Sequence, residues 1–321
     1  MIKFLNINKT DKSVKNKIFS DIKRIIKKNN FILGNEVNHF EKAFAKYCGA
    51  KYGIGCANGT DALTIALKIL NLPRDSEVII PAMTYCSTAF AVINANLKPI
   101  LVDIDFLKPT IDIRKIQNRI NKKTRVIMPV HLYGSVVDIP LIRKIIKNKD
   151  IIIIDDCSQA HGAGDNNKKV GSIADISCFS LYPGKNLGAY GDAGIITTNK
   201  KRIYNKIKNF RNLGSDVKFM HNQIGFNSRM DTIQASILIR KLPLLTKNNY
   251  NRVKIAKLYD LKIINPKIKK INYSKNAVYH QYIVMTKNRS SLIKLFKKKK
   301  IPYGLHYPKA VHQLNALKNY F

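Results

Sequence analysis

The chain has 321 residues, of which 57 are Lys or Arg and 20 are Asp or Glu, giving a formal charge of +37, and 45 % of it is hydrophobic. That apolar share suffices for a globular core and excludes a disordered tail protein. The length corresponds to one large domain and a smaller one, and no apolar run approaches the roughly 18 residues that a membrane helix needs. The start, MIKFLNINKTDKSVKNK, has no continuous apolar stretch, so no secretory leader is expected. Five cysteines, Cys48, Cys56, Cys86, Cys157 and Cys178, stand singly with no CxxC pair. This pattern fits reduced thiols in a cytoplasm, where the chain is expected, better than disulfides or a metal site. The charge does not by itself imply nucleic acid or a membrane surface. Lys far outnumbers Arg, Ile and Asn are abundant, and all three are encoded by A/T-rich codons. The lysines are spread along the chain, and the run at 297–300 reads as a solvated helix end.

In chain order, two amphipathic helices are expected over 14–28 and 37–47, with FILGNEV between them as a loop broken at Gly34. From about residue 50 to 200, β-rich runs (IGCA, EVIIPA, PILVDID, RVIMPVHLYG, IIIIDD, ISCFS, GIITT) alternate with helix-period segments at 61–70, 86–96 and 139–147. Apolar strands separated by helices describe βαβ units and a mostly parallel sheet covered on both faces. After residue 201 the chain turns helical and lysine-rich, with periodic stretches at 231–245 and 250–259. The run HQYIVMT and a helix near Ser291 indicate a small C-terminal α/β domain.

Five segments carry candidate chemistry. Asp155 and Asp156 leave the apolar strand 151–154 at its carboxyl end, where parallel sheets bind ligands; an isolated Asp there would otherwise cap the next helix. Gln159 lies three residues beyond Asp156, among small residues. In SLYPGKNLGAYGDAG, Ser180 ends a strand and Lys185 sits in a glycine-rich turn. A confined lysine there suits a nucleophilic amine, or alternatively a phosphate-binding lysine, although the GxxxxGK[ST] pattern is absent. In NGTDAL, Gly59 and Thr60 open a helix whose free amides suit an anion. Tyr85, after EVII, could cover a planar ring, and Asn227 with Arg229 precedes a long helix that Asn227 could cap. A lysine, an acid, an anion site and an aromatic face are together what pyridoxal phosphate requires.

The strings FILGNEVNHFE, ANGTDALTIAL, PAMTYCSTAFAV, DDCSQAHGA, SCFSLYPGKNLGAYGDAG and GFNSRMDTIQA, in this order, make the chain resemble the DegT/DnrJ/EryC1/StrS family of sugar aminotransferases. The resemblance implies an α/β, fold-type-I (aspartate aminotransferase-like) architecture. Residues 1–245 would form the N-terminal arm and the large cofactor-binding domain, and 246–321 a small C-terminal domain. It implies pyridoxal 5'-phosphate linked to Lys185, with Asp156 on the ring nitrogen and Gln159 near the ring hydroxyl. Gly59, Thr60 and Ser180 match phosphate ligands, and Tyr85 matches the stacking aromatic. Asn227 matches a phosphate contact supplied by a second subunit, hence a homodimer with shared sites. Lys185 and Asp156 would be the catalytic pair. Where the family often has Glu-Asp, this chain has Asp155-Asp156. The implied reaction moves an amino group, with glutamate as donor, to a nucleotide-linked keto sugar. YPGKNLGAYGD resembles the 3-keto branch more than the 4-keto one, and a degenerate or regulatory member is the alternative from another class. Relatives run on past HYPKAVHQLNALKNYF, so the small domain is expected to be shortened and mobile, with cofactor binding retained.

Overall fold

The computed structural model describes residues 4–5, 10–146, 150–165, 168–217 and 219–321. Two helices come first, α1 (Lys12–Lys28) and α2 (Asn35–Cys48). Spacing of three and four residues puts Val37, Phe40, Phe44 and Cys48 on one buried stripe of α2. Gly34 breaks the chain between the helices, as expected. A Cβ there would sit 2.8 Å from Thr232 Oγ1, so only glycine fits without displacing it.

Seven strands build the central sheet: β1 (Tyr52–Cys56), β2 (Glu77–Pro81), β3 (Lys98–Val102), β4 (Thr124–Ile127), β5 (Ile152–Asp156), β6 (Ile176–Ser180) and β7 (Gly194–Thr198). Their order across the sheet is β1-β7-β6-β5-β4-β2-β3. All run parallel except β7, which is antiparallel to both neighbours. The βαβ reading therefore stops at GIITT. No helix separates β6 from β7; residues 181–193 form a wide loop whose ends meet where Ser180 pairs with Gly194. Helices α3 (Gly59–Lys68), α4 (Ser87–Asn94), α5 (Ile113–Ile116) and α6 (Ile139–Ile145) follow strands of the parallel part. Residue 147, the expected end of α6, lies outside the described residues.

Strand period decides which residues face which layer. Val78, Ile80, Val126, Ile154, Cys178 and Ile196 pack with α3 and α4, whereas Ile79, Ile127 and Ile153 pack with Ile139 and Ile142 of α6. Near the other edge, Phe179 and Ile195 meet Phe40 and Phe44 of α2. The sheet is thus buried on both faces, which is why adjacent residues of its strands, such as Val78-Ile79-Ile80 and Val126-Ile127, are both apolar. A buried carboxylate, Glu41 of α2, accepts from the Gly55 amide at 2.8 Å and pairs with the Arg211 guanidinium, which also donates to the Gly55 carbonyl.

Beyond β7 come α7 (Lys201–Phe210), α8 (Thr232–Lys241), α9 (Leu245–Lys262) and α10 (Arg289–Lys298). Asp21 of α1 receives hydrogen bonds from Arg240 of α8 at 2.7 and 3.2 Å, so the first helix docks on the eighth. After residue 263, the buried apolar side chains are Ala277, Val278, Val311 and Leu317, and α10 buries none. Of HQYIVMT only Val284–Met285 is strand, paired with Lys269–Lys270. The last segment returns to the sheet: Val311 N–H donates to the Ala82 carbonyl at 2.9 Å, and Val311 and Leu317 join the α3/α4 core. Leu317→Ala should therefore cost about 2–3 kcal/mol in urea unfolding, whereas wild-type stability in that variant would mean that the end of the chain is not docked.

Candidate active site

Because the strands run parallel, the loops that follow them emerge at one edge of the sheet, where such sheets bind ligands. The candidate residues follow β1 (Gly59, Thr60), β2 (Tyr85), β5 (Asp156, Gln159) and β6 (Ser180, Lys185), so one edge gathers them.

Asp155 and Asp156 leave β5 on opposite faces. Asp156 shares the α4 face. Its Oδ2 accepts from Thr88 Oγ1 of α4 at 3.1 Å, and Oδ1 from the Ser158 amide at 3.0 Å. Thr88 in turn lies 3.0 Å from Thr84 Oγ1. Asp155 is fully buried on the other face, where its Oδ2 lies 3.0 Å from His131 Nε2. His131 Nδ1 accepts from the Val137 amide, so the ring proton sits on Nε2 and is donated to Asp155. Cys157 Sγ lies close to the same two side chains. With both His131 nitrogens already hydrogen-bonded and burial pushing the Cys157 thiol up, this trio is built as a polar buttress under β5.

Lys185 sits in a turn closed by its own amide donating to the Tyr182 carbonyl at 2.9 Å. Burial pushes its ammonium down, and the Asp156 carboxylate opposes that shift, so the two groups act on one another across the strand ends. Lys185 also depresses three imidazoles. His161 is pushed down to about 3 by burial and then by the lysine, His280 is pushed well below its ordinary value for the same reasons, and His306 is lowered. Three histidines and one carboxylate thus lie within electrostatic reach of the lysine.

The anion cradle is formed where α3 starts. Asn58 caps α3, accepting from the Asp61 amide at 2.8 Å, which leaves the first-turn amides of Gly59 and Thr60 to the site. A Cβ on Gly59 would lie 2.5 Å from Ser180 Cβ; glycine is what lets the helix start touch the end of β6. Thr60 Oγ1 donates to Ser87 Oγ at 2.8 Å, so the start of α4 adjoins the same cradle. A phosphate and a protonated pyridine ring fit this donor set: helix-start amides and hydroxyls at one end, and a buried carboxylate at the other.

Tyr85 is half-exposed, and its ring lies 5.9 Å from that of Tyr307. Gln159 is buried. Its Oε1 accepts from the Tyr133 amide at 2.7 Å and its Nε2 donates to Tyr307 Oη at 2.9 Å, so one N–H remains for a ligand. Tyr133 has a left-handed φ of 57°, and the Gln159 contact helps hold it there. Asn227 is exposed and is not brought into this chain's cradle; its backbone bridges Asn212. The alternative that it caps the next helix does not hold: the N-cap of α8 is Asp231, and Asn227 lies four residues upstream of it. Its neighbour Ser228 is buried, accepting from the Ala57 amide at 3.1 Å and donating to Asp61 at 2.7 Å. Sequence reasoning missed Thr88, Tyr133, His306 and Tyr307. The string HYP was the available signal for the last two, but nothing local ties it to β5.

His161 packs against the rings of Phe44 and Phe179, with both ring nitrogens lacking hydrogen-bond partners. Its folded pKa of about 3 lies below the unfolded value of 6.5, so the unfolded state binds the proton first as pH falls. Stability should drop between pH 6.5 and about 3, by up to about 1.4 kcal/mol per pH unit from this group. His161→Phe should flatten that slope in pH-dependent thermal unfolding. An unchanged slope would mean that His161 is charged in the folded protein.

The sequence profile of the DegT/DnrJ/EryC1/StrS aminotransferase family matches residues 12–321. A dTDP-3-amino-3,6-dideoxy-alpha-D-galactopyranose transaminase from Aneurinibacillus thermoaerophilus is 39 % identical over 318 residues, covering 98 % of this chain and 88 % of that protein. A UDP-2-acetamido-2-deoxy-3-oxo-D-glucuronate aminotransferase from Pseudomonas aeruginosa is 37 % identical over 310 residues, covering 96 % and 86 %. Among solved structures, the Bacillus subtilis protein NtdA, crystallised with bound cofactor PMP, superposes with a TM-score of 0.92 at 29 % identity, covering 99 % of this chain and 75 % of that one. The match spans the sheet, the cradle and the lysine loop alike, and the chain therefore belongs to the DegT/DnrJ/EryC1/StrS family of pyridoxal phosphate-dependent aminotransferases.

Proposed function

We propose that the protein transfers an amino group from glutamate to the keto carbon of a nucleotide-linked 3-keto sugar. The observation that carries this reading is Lys185: a desolvated amine in a rigid turn, answered by the single carboxylate of Asp156. The 3-oxo sugar in the name of the Pseudomonas relative supports the keto position.

In this reading the amides of Gly59 and Thr60, with Ser180, hold the cofactor phosphate. Asp156 takes the pyridine nitrogen, its orientation fixed by Thr88 and Ser158. Tyr85 packs on the ring face, and the remaining Gln159 N–H reaches the ring hydroxyl. The bound cofactor would supply an electron sink for the electron pair left on the donor's α-carbon when its proton is removed. The Lys185 amine would be the group that takes up that proton and later releases it. Burial shifts its equilibrium toward the neutral amine, the form that acts as a base. Asp156 holds a positive charge on the ring nitrogen because an opposite charge within hydrogen-bond range favours it.

The working unit in this reading is a homodimer in which Asn227 completes the partner's phosphate site. Val217, Met220 and Ile224, exposed apolar side chains in the ten residues before Asn227, support a covered surface in this segment. A coupled assay with glutamate against a panel of nucleotide-linked 3- and 4-keto sugars tests the function. Turnover should be at least about tenfold faster with a 3-keto sugar. Preference for a 4-keto sugar would move the assignment to that branch, and no turnover with any of them would leave a regulatory role. Mixing Lys185→Ala and Asn227→Ala chains should restore part of the activity, whereas no recovery under subunit exchange would refute shared sites.

A further inference from the structure

Asn186 directly follows Lys185, and its side chain joins a chain of polar groups made by Asn249, Val278 and His280. Asn249 of α9, itself buried, donates from Nδ2 to the His161 carbonyl at 2.8 Å. A carbonyl can only accept, so the Asn249 amide has one orientation, with Oδ1 facing Asn186. That oxygen accepts from Asn186 Nδ2 at 2.9 Å, and the same nitrogen reaches the Val278 carbonyl at 3.3 Å. Asn186 Oδ1 is left as an acceptor 3.0 Å from His280 Nδ1, which must therefore carry the imidazole proton. One carbonyl thus sets the direction of three successive hydrogen bonds. The relay ties together four segments: the loop after β5, α9, the lysine turn and residues 278–280.

The far end of the relay is held independently. Val278 N–H donates to the Gly134 carbonyl at 3.0 Å, and a Cβ on Gly134 would come within 2.9 Å of the His280 amide, so the two backbones are in contact. Burial above all holds His280 neutral, with Lys185, Arg252, His161 and His306 nearby. A neutral ring has a single N–H, and the relay fixes it on Nδ1.

We propose that Asn186 is a positioning residue, and that the hydrogen bond it accepts from His280 makes residues 278–280 a support that sets the geometry of the Lys185 amine. This rests on Lys185 being the cofactor-bearing lysine. The distinction from a packing role lies in the donor: what matters is a single N–H at the position of His280 Nδ1, which an Asn side chain can replace and an Ala cannot.

The test is a spectrophotometric pH titration of the visible cofactor band in the purified holoenzyme, with Asn186→Ala, His280→Ala, His280→Asn and, as control, Lys185→Ala. The Ala variants at 186 and 280 should move the apparent pKa of the band by about half a unit or more. His280→Asn should titrate close to wild type, and the double Ala variant should shift no further than either single one, because both remove the same bond. If Asn186→Ala does not fold, the His280 pair decides alone. Wild-type titration in the His280→Ala protein, or an equal shift in His280→Asn and His280→Ala, would overturn the proposal while leaving Lys185 in its role. A titrating band that survives in Lys185→Ala would overturn both.

Discussion

Taking the Lys185 ammonium out of water is the constraint on which the rest of the site depends. An amine in bulk water is protonated and inert as a base; one held against protein loses hydration that only a nearby negative charge can offset. Here that charge is Asp156 alone, because Asp155, its neighbour in sequence, is turned by the strand period to the other face and paired with His131. The surrounding imidazoles of His161, His280 and His306 are kept neutral by the same burial, so they surround the lysine without adding charge. Fixing the amine in such surroundings requires the turn itself to be rigid, and the closed loop between β6 and the reversed strand β7 supplies that.

Scarce carboxylates mark where the fold is joined. With 57 basic and 20 acidic residues, most lysines can only be solvated, yet several of the acids sit at junctions. Glu41 links α2, β1 and Arg211; Asp21 links α1 to Arg240 of α8; Asp175 receives both Arg143 and Lys200. For Asp21 the Arg240 guanidinium holds the carboxyl below its usual range. Breaking a buried pair such as Glu41–Arg211 leaves an uncompensated charge, a larger penalty than losing a surface pair. The basic excess is thus compatible with a stable fold because the acids stand where elements meet.

Much of this was legible in the sequence, for reasons that can be named. Strands buried on both faces carry unbroken apolar runs, so β2, β4 and β5 announce themselves, and Asn58-Gly59 and Pro183-Gly184 mark chain turns beyond strand ends. What the sequence could not convey was non-local. Nothing in GIITT says that β7 runs backwards, since direction depends on the length and course of the loop before it. Tyr307 reaches Gln159 from 148 positions away, and Asn186 looks like an ordinary turn residue until α9 and His280 are beside it. Asn227 is not the helix cap because the N-cap position of α8 falls four residues later, on Asp231.

The central claim is that one lysine, Lys185, carries the cofactor opposite Asp156. Borohydride reduction of the holoenzyme followed by peptide mass spectrometry tests it most directly. The reduced pyridoxyl group should be found on Lys185 alone, and Lys185→Ala should yield no adduct; a pyridoxyl group on any other of the chain's lysines would contradict it.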